Sequence, residues 1–160
     1  MRARYVLLLR ALIALAGVLP WALSLARLQT PAMWLSFHAL CHQMPERTLW
    51  LSGEPMLVCS RCAGMYAGIA LGTVIPLRGR LASRGALLIV AAVALAVLDV
   101  VTQDTGLHEP WLWSRLATGL AMGWTASAFV FAALAAERAR VRPIPARADR
   151  CGEGSRVAGG

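Results

Sequence analysis

Cys59-Ser60-Arg61-Cys62-Ala63-Gly64-Met65-Tyr66-Ala67-Gly68-Ile69-Ala70-Leu71-Gly72 carries both the fold and the chemistry of this chain. The stretch lies within an apolar run from Met56 to Leu77 whose one charge is Arg61. About twenty such residues are what a helix needs to cross the hydrocarbon core of a bilayer. Its glycines recur every four residues, which places them on one helix face. Its two cysteines have the Cys-x-x-Cys spacing at which a pair of thiols binds a metal or passes on a disulfide. Upstream, Cys41-His42-Gln43-Met44-Pro45-Glu46-Arg47 adds a third thiol and an imidazole.

Composition agrees with a membrane setting. Hydrophobic residues make up 58% of the 160 residues and charged residues 15%, against roughly a quarter charged in soluble proteins. All 16 basic residues are arginine, and the net charge of +8 gathers at the two ends and in one short connection. A nucleic-acid-binding protein would carry that charge on the face of a folded soluble domain. The apolar runs leave no room for one, so the lipid bilayer is the expected partner and the charge a topology signal.

Working outward, three further apolar runs flank the first. One covers about residues 5–26, opened by Arg2 and Arg4 and interrupted by Arg10, which can snorkel to the headgroups. A basic start, an apolar stretch and Ser24-Leu25-Ala26 also imitate a cleaved signal peptide, but the length of the run and Arg10 favour a retained span. Pro20 is expected to kink this helix rather than end it. From Arg27 to Pro55 a loop is expected, with Trp34 and Trp50 suited to the membrane interface and a short interfacial helix over Ala32–Cys41. That helix would set His38 one turn from Cys41 or His42. Spans over about residues 56–77, 85–101 and 111–136 follow, separated by Arg78, Arg80 and Arg84 on one side and by an acidic loop with Asp104, His108 and Glu109 on the other. Residues 137–160, rich in Arg, Pro, Gly and Ala, read as a disordered tail. The expected fold is therefore all-α: a four-helix transmembrane bundle over residues 1–136 with a Cys/His-bearing outer loop. The arginines of the amino end, the short connection and the tail then share one side, which the positive-inside rule makes the cytoplasm.

Gly64, Gly68 and Gly72 on the second span, and Gly119, Gly123 and Ser127 on the fourth, form two small-residue seams. Such seams let helix backbones approach closely in lipid, and these two are expected to face each other; they are also the faces through which a second copy would pack. Charges near the apolar layer need partners. Asp99 and Arg115 lie at matching depth and are expected to pair, with Arg61, Gln103 and Asp104 in the same polar cluster and Arg47 beside it.

Three readings compete for the cysteines. In the first, Cys41, His42, Cys59 and Cys62, with His38 as a substitute ligand, bind a metal at the outer face, zinc by default and copper or haem iron as alternatives. In the second, Cys59 and Cys62 carry out thiol-disulfide exchange, with Arg61 or Arg115 lowering a thiol pKa; three thiols on one face do not make the two pairs that quinone-coupled enzymes use. In the third, the cysteines are small packing residues. His108 reads as a solvated loop residue, Cys151 as a tail thiol, and Met33, Met44, Met56 and Met65 are too scattered for a copper relay. No nucleophile, base and oxyanion-donor set can be assembled, so an enzyme is neither indicated nor excluded.

Cys-His-Gln-x-Pro-x-Arg at 41–47, Cys-x-Arg-Cys-x-Gly-x-Tyr-x-Gly at 59–68, Asp99 with Gln103, and Arg115 with Thr118 and Gly119 resemble the small prokaryotic membrane proteins catalogued as domain of unknown function 2085. The pattern covers roughly residues 38–123. It departs where the family tends to carry Ser-Asn before the last arginine, since this chain has Glu109-Pro110-Trp111-Leu112-Trp113. The resemblance implies an integral protein of a prokaryotic cell membrane and supplies no activity.

Overall fold

In a computed structural model of the chain, which describes residues 3–107, 109 and 111–141, the longest apolar runs become helices α1 (Ala3–Leu25), α5 (Gly85–Asp104) and α6 (Leu112–Val141). These three are long and apolar enough to cross a membrane, and the chain is mostly helical. Helix α1 continues through Pro20, whose ring is fully buried. Helix α6 runs to Val141, into the stretch expected to be a disordered tail, because Glu137-Arg138-Ala139-Arg140 are good helix formers and the arginines suit a helix C-terminus. Arg2, His108, Cys151 and the rest of the tail lie outside the described residues.

The run from Met56 to Leu77 is not one helix, which corrects the all-α expectation. Its first part is strand β2 (Glu54–Cys59), paired antiparallel with β1 (Thr48–Leu51) in the register Trp50 to Pro55 and Leu51 to Glu54. Ser52 and Gly53, with φ of 55° and 86°, make the turn; two successive left-handed residues match the twist of a tight hairpin. Met56, Leu57 and Val58 are all fully buried. A strand covered on both faces presents an unbroken apolar run, indistinguishable by periodicity from a buried helix. Helix α3 (Ser60–Val74) follows with 15 residues, about 22 Å long at 1.5 Å per residue against a hydrocarbon layer of about 30 Å.

Packing sets the directions of the elements. The contacts of α3 with α6 rise together in sequence, Gly64 against Leu116, Gly68 against Leu120 and Gly72 against Trp124, so the two run parallel. Each glycine lies against a backbone carbonyl of α6, and Gly119 and Gly123 lie in the same way against the carbonyls of Arg61 and Met65. The expected seam is thus present, with glycines interleaved from both sides. Helix α1 runs antiparallel to α3, with Gly17 against Tyr66 and Ala70 and the Trp21 indole N–H donating to the Ala63 carbonyl at 3.0 Å. Helix α5 runs antiparallel to α6, with Gly85 against Phe129 at one end and Asp99 accepting from Ser114 at the other. At the far end of α3, Trp124 Nε1 donates to the Ile75 carbonyl at 3.2 Å, satisfying a backbone acceptor that the helix has left open.

Two short helices, α2 (Pro31–His38) and α4 (Arg80–Ser83), and a 3-10 turn over Pro45–Arg47 complete the fold among the described residues. Helix α2 starts at Thr30, whose hydroxyl accepts the Met33 N–H at 3.3 Å. It ends before Cys41, which therefore lies on a loop. The carboxyl ends of α1 and α5, the hairpin and the amino ends of α3 and α6 meet at one end of the bundle. Arg78, Arg80 and Arg84 occupy the other with Arg138 and Arg140.

Candidate metal centre

At the hairpin end of the bundle the sulfurs of Cys41, Cys59 and Cys62 all lie within 4.8 Å of one another. None of the three is in a disulfide. Each arrives by a different local device. Cys59 ends β2 in the extended conformation that caps α3, and Cys62 follows in the first helical turn; residues three apart at a helix start stand on one side. Cys41 is brought from the loop after α2, where its N–H donates to the Phe37 carbonyl at 2.9 Å. The Cys59 backbone N–H donates to Cys41 Sγ at 3.2 Å, which fixes that sulfur against the start of α3. Cys41 is buried, in one apolar cluster with Met56, Val58 and Ala63, against which Trp21, Phe37 and Tyr66 pack. Phe37 meets Tyr66 edge-on with ring centroids 6.1 Å apart.

The Cys59 thiol is pushed well below the usual thiol range, chiefly by hydrogen bonding from Cys41 and then from Cys62, and burial opposes the shift without cancelling it. Thiolate is the form that ligates metal and attacks disulfides.

The imidazoles are placed differently. His42 and His38 are both exposed, and neither belongs to the group of converging ligand atoms. Cys41 is buried while the next residue, His42, stands at the surface.

One residue that sequence reasoning did not single out as a site residue holds the loop in place. Gln43, in the left-handed region with φ of 49°, donates through Nε2 to the Leu57 carbonyl at 2.7 Å and to the Trp34 carbonyl at 3.1 Å. It thereby ties the Cys41 loop to β2 and α2. Its position two residues after Cys41, amid polar neighbours, was the available signal. If the three sulfurs hold a metal, Gln43→Leu is expected to leave the bundle folded and weaken that binding 10- to 100-fold, the usual cost of losing a group that orients a ligand; competition with a chromogenic chelator measures it.

Beside the thiols lies a polar network across α3, α5 and α6. Asp99 does not pair with Arg115. Its Oδ2 accepts from Arg61 Nη2 at 2.5 Å, and its Oδ1 accepts from Gln103 Nε2 and Ser114 Oγ, both at 2.8 Å. Arg115 instead donates through Nε to Gln103 Oε1 at 2.7 Å. The close approach of α3 to α6 sets Arg61 within reach of the carboxylate first. Asp104 and Arg47 are exposed, and neither is bonded into this network.

A family model described as a predicted membrane protein (DUF2085) matches residues 41–129, which include all three thiols and the whole polar network. An uncharacterised protein of Methanocaldococcus jannaschii is 37% identical over 94 residues, covering 56% of this chain and 60% of that protein. An uncharacterised protein of Methanothermobacter thermautotrophicus is 34% identical over 93 residues, covering 56% of this chain and 82% of the relative. The chain thus spans somewhat under two thirds of the first of these relatives. No solved structure matches.

Proposed function

The chain belongs to the predicted membrane protein family DUF2085, and from that premise we propose that it crosses the membrane four times and holds one soft or borderline metal ion, zinc by default, on Cys41, Cys59 and Cys62. Convergence of three unbridged sulfurs within 4.8 Å is the observation that carries this reading. Thiolates are preferred ligands of zinc and copper(I). Zinc takes a fourth ligand, which leaves one position for water, an exogenous group or His42 after a loop movement. Haem, held through one or two axial ligands, makes no use of three converging sulfurs.

The fourth crossing is α3. Though short, it lies between α1 and α6 along its length, antiparallel to one and parallel to the other, and so shares the layer that they cross. With alternating directions, the start of α1 and the end of α6 lie on the side of Arg78, Arg80 and Arg84. The positive-inside rule makes that side the cytoplasm and sets the thiols at the outer face of a prokaryotic cell membrane. There the ion would link the loop, the hairpin and the helix, contributing folding energy as structural thiolate sites do.

Protein purified in mild detergent without chelator is expected to carry about one equivalent of metal, which Cys41→Ala, Cys59→Ala and Cys62→Ala each abolish and His42→Ala retains. Metal-free wild type with a Cys59 to Cys62 disulfide would overturn the reading and favour thiol-disulfide chemistry.

A further inference from the structure

Arg115 is 6% exposed, yet no acidic oxygen bonds its guanidinium among the described residues. The nearby carboxylate is spent: Asp99 is the ion-pair partner of Arg61 and accepts from Gln103 and Ser114 as well. Gln103 faces Arg115 with its amide oxygen and engages Nε alone, leaving the two Nη groups and their four N–H donors. Charges of both signs act on Arg115: Arg47 and Arg61 repel it, and Asp99 and Cys59 attract it without bonding it. A nearly buried guanidinium with both Nη groups unengaged is costly to leave without a further acceptor. Gln103 is itself held by Asp99, so Arg115 is oriented as well as buried.

We propose that Arg115, seated by Gln103 and flanked by Arg61, is the receptor for a phosphate group at this face of the bundle. The two Nη groups present the planar fork that takes two phosphate oxygens at once. Such a group comes either from a phospholipid headgroup at the membrane boundary or from a water-borne phosphate. Its donors are distinct from the thiols of the proposed metal centre, although Arg61 lies between Cys59 and Cys62 in the chain.

The full-length protein, delipidated in dodecyl maltoside, is titrated with inorganic phosphate while its thermal midpoint is followed; in parallel, it is reconstituted with phosphatidylglycerol and released for native mass spectrometry. Saturable stabilisation by phosphate, weakened at least about tenfold in Arg115→Gln, identifies a water-borne ligand. Retained phosphatidylglycerol that Arg115→Gln loses, without a response to phosphate, identifies the headgroup. Absence of both in wild type, or wild type and Arg115→Gln behaving alike, overturns the proposal. Should Arg115→Gln fail to fold, Arg115→Lys keeps the charge and removes the fork; binding at least about fivefold weaker is expected, and unchanged binding overturns the assignment.

Discussion

Gly68→Leu is expected to yield no stably folded protein. A β-carbon at this position falls on the Leu120 carbonyl oxygen, inside contact distance, and lies 2.7 Å from the Trp124 nitrogen. Both are backbone atoms, so the clash cannot be relieved by turning a side chain. The remaining leucine carbons make it worse, and α3 would have to leave α6. Overpacking of a tight interface costs typically about 1–3 kcal/mol and occasionally more, and more than about 3 kcal/mol is expected here because the obstruction is main chain on both sides. In lipid there is little hydrophobic drive to recover that loss by a looser docking. Size-exclusion chromatography in mild detergent and the thermal midpoint measure the effect, with Leu87→Ala, on the outward face of α5, as a variant expected to differ little from wild type. A monodisperse Gly68→Leu with the wild-type midpoint would show that the interleaved glycines are not what joins the two helices.

Asp99→Leu is expected to cost about 3 kcal/mol, while Asp99→Leu combined with Arg61→Leu recovers most of that. The carboxylate accepts from three donors, and its side chain is 8% exposed against 24% for Arg61. Removing only the acid strands a guanidinium, an amide and a hydroxyl near the apolar layer. The residual exposure of Arg61 keeps the cost at the low end of the 3–5 kcal/mol typical of a broken buried pair. Removing both charges takes away the desolvation penalty with the attraction, which is why the double variant should be the more stable of the two. Chemical unfolding in mixed micelles of fixed composition measures both. Equal stability of Asp99→Leu and wild type would mean that water, rather than Asp99, solvates Arg61.

The two outcomes bear on the proposed metal centre differently. Gly119 lies against the Arg61 carbonyl, and Arg61 sits between Cys59 and Cys62, so the seam sets the position of two thiols as well as of a helix. Asp99 acts on the side chain of Arg61 and leaves that backbone where it is. Loss of metal is therefore expected with the seam variant and retention with Asp99→Leu.

Much of this was legible from residues alone. The long apolar runs of α1, α5 and α6 are local in sequence, and any compact solution must keep them in lipid or in contact with each other. The four-residue spacing of Gly64, Gly68 and Gly72 is a property of one helix face, and the match with Gly119 and Gly123 follows because only small residues admit a second backbone there. Three thiols were grouped from spacing and ligand type before their sulfurs were placed. The hairpin was less visible: Met56-Leu57-Val58 has no alternation, because both faces of β2 are covered, and the Ser52-Gly53 turn was its one local sign.

Which polar groups meet was decided only by tertiary structure. Asp99 had two arginines at similar depth to choose from, and the choice of Arg61 depends on how closely α3 approaches α6, a distance set by glycines elsewhere along both helices. The Cys41-His42 dipeptide offered two ligands in sequence, yet only Cys41 is buried among the converging sulfurs, and His42 is exposed. Apolar length and small-residue spacing act within a single helix and so can be read from a string of residues. A hydrogen bond or a metal-ligand set requires several elements to agree on one point in space to within a fraction of an ångström, and only the packed bundle sets that point.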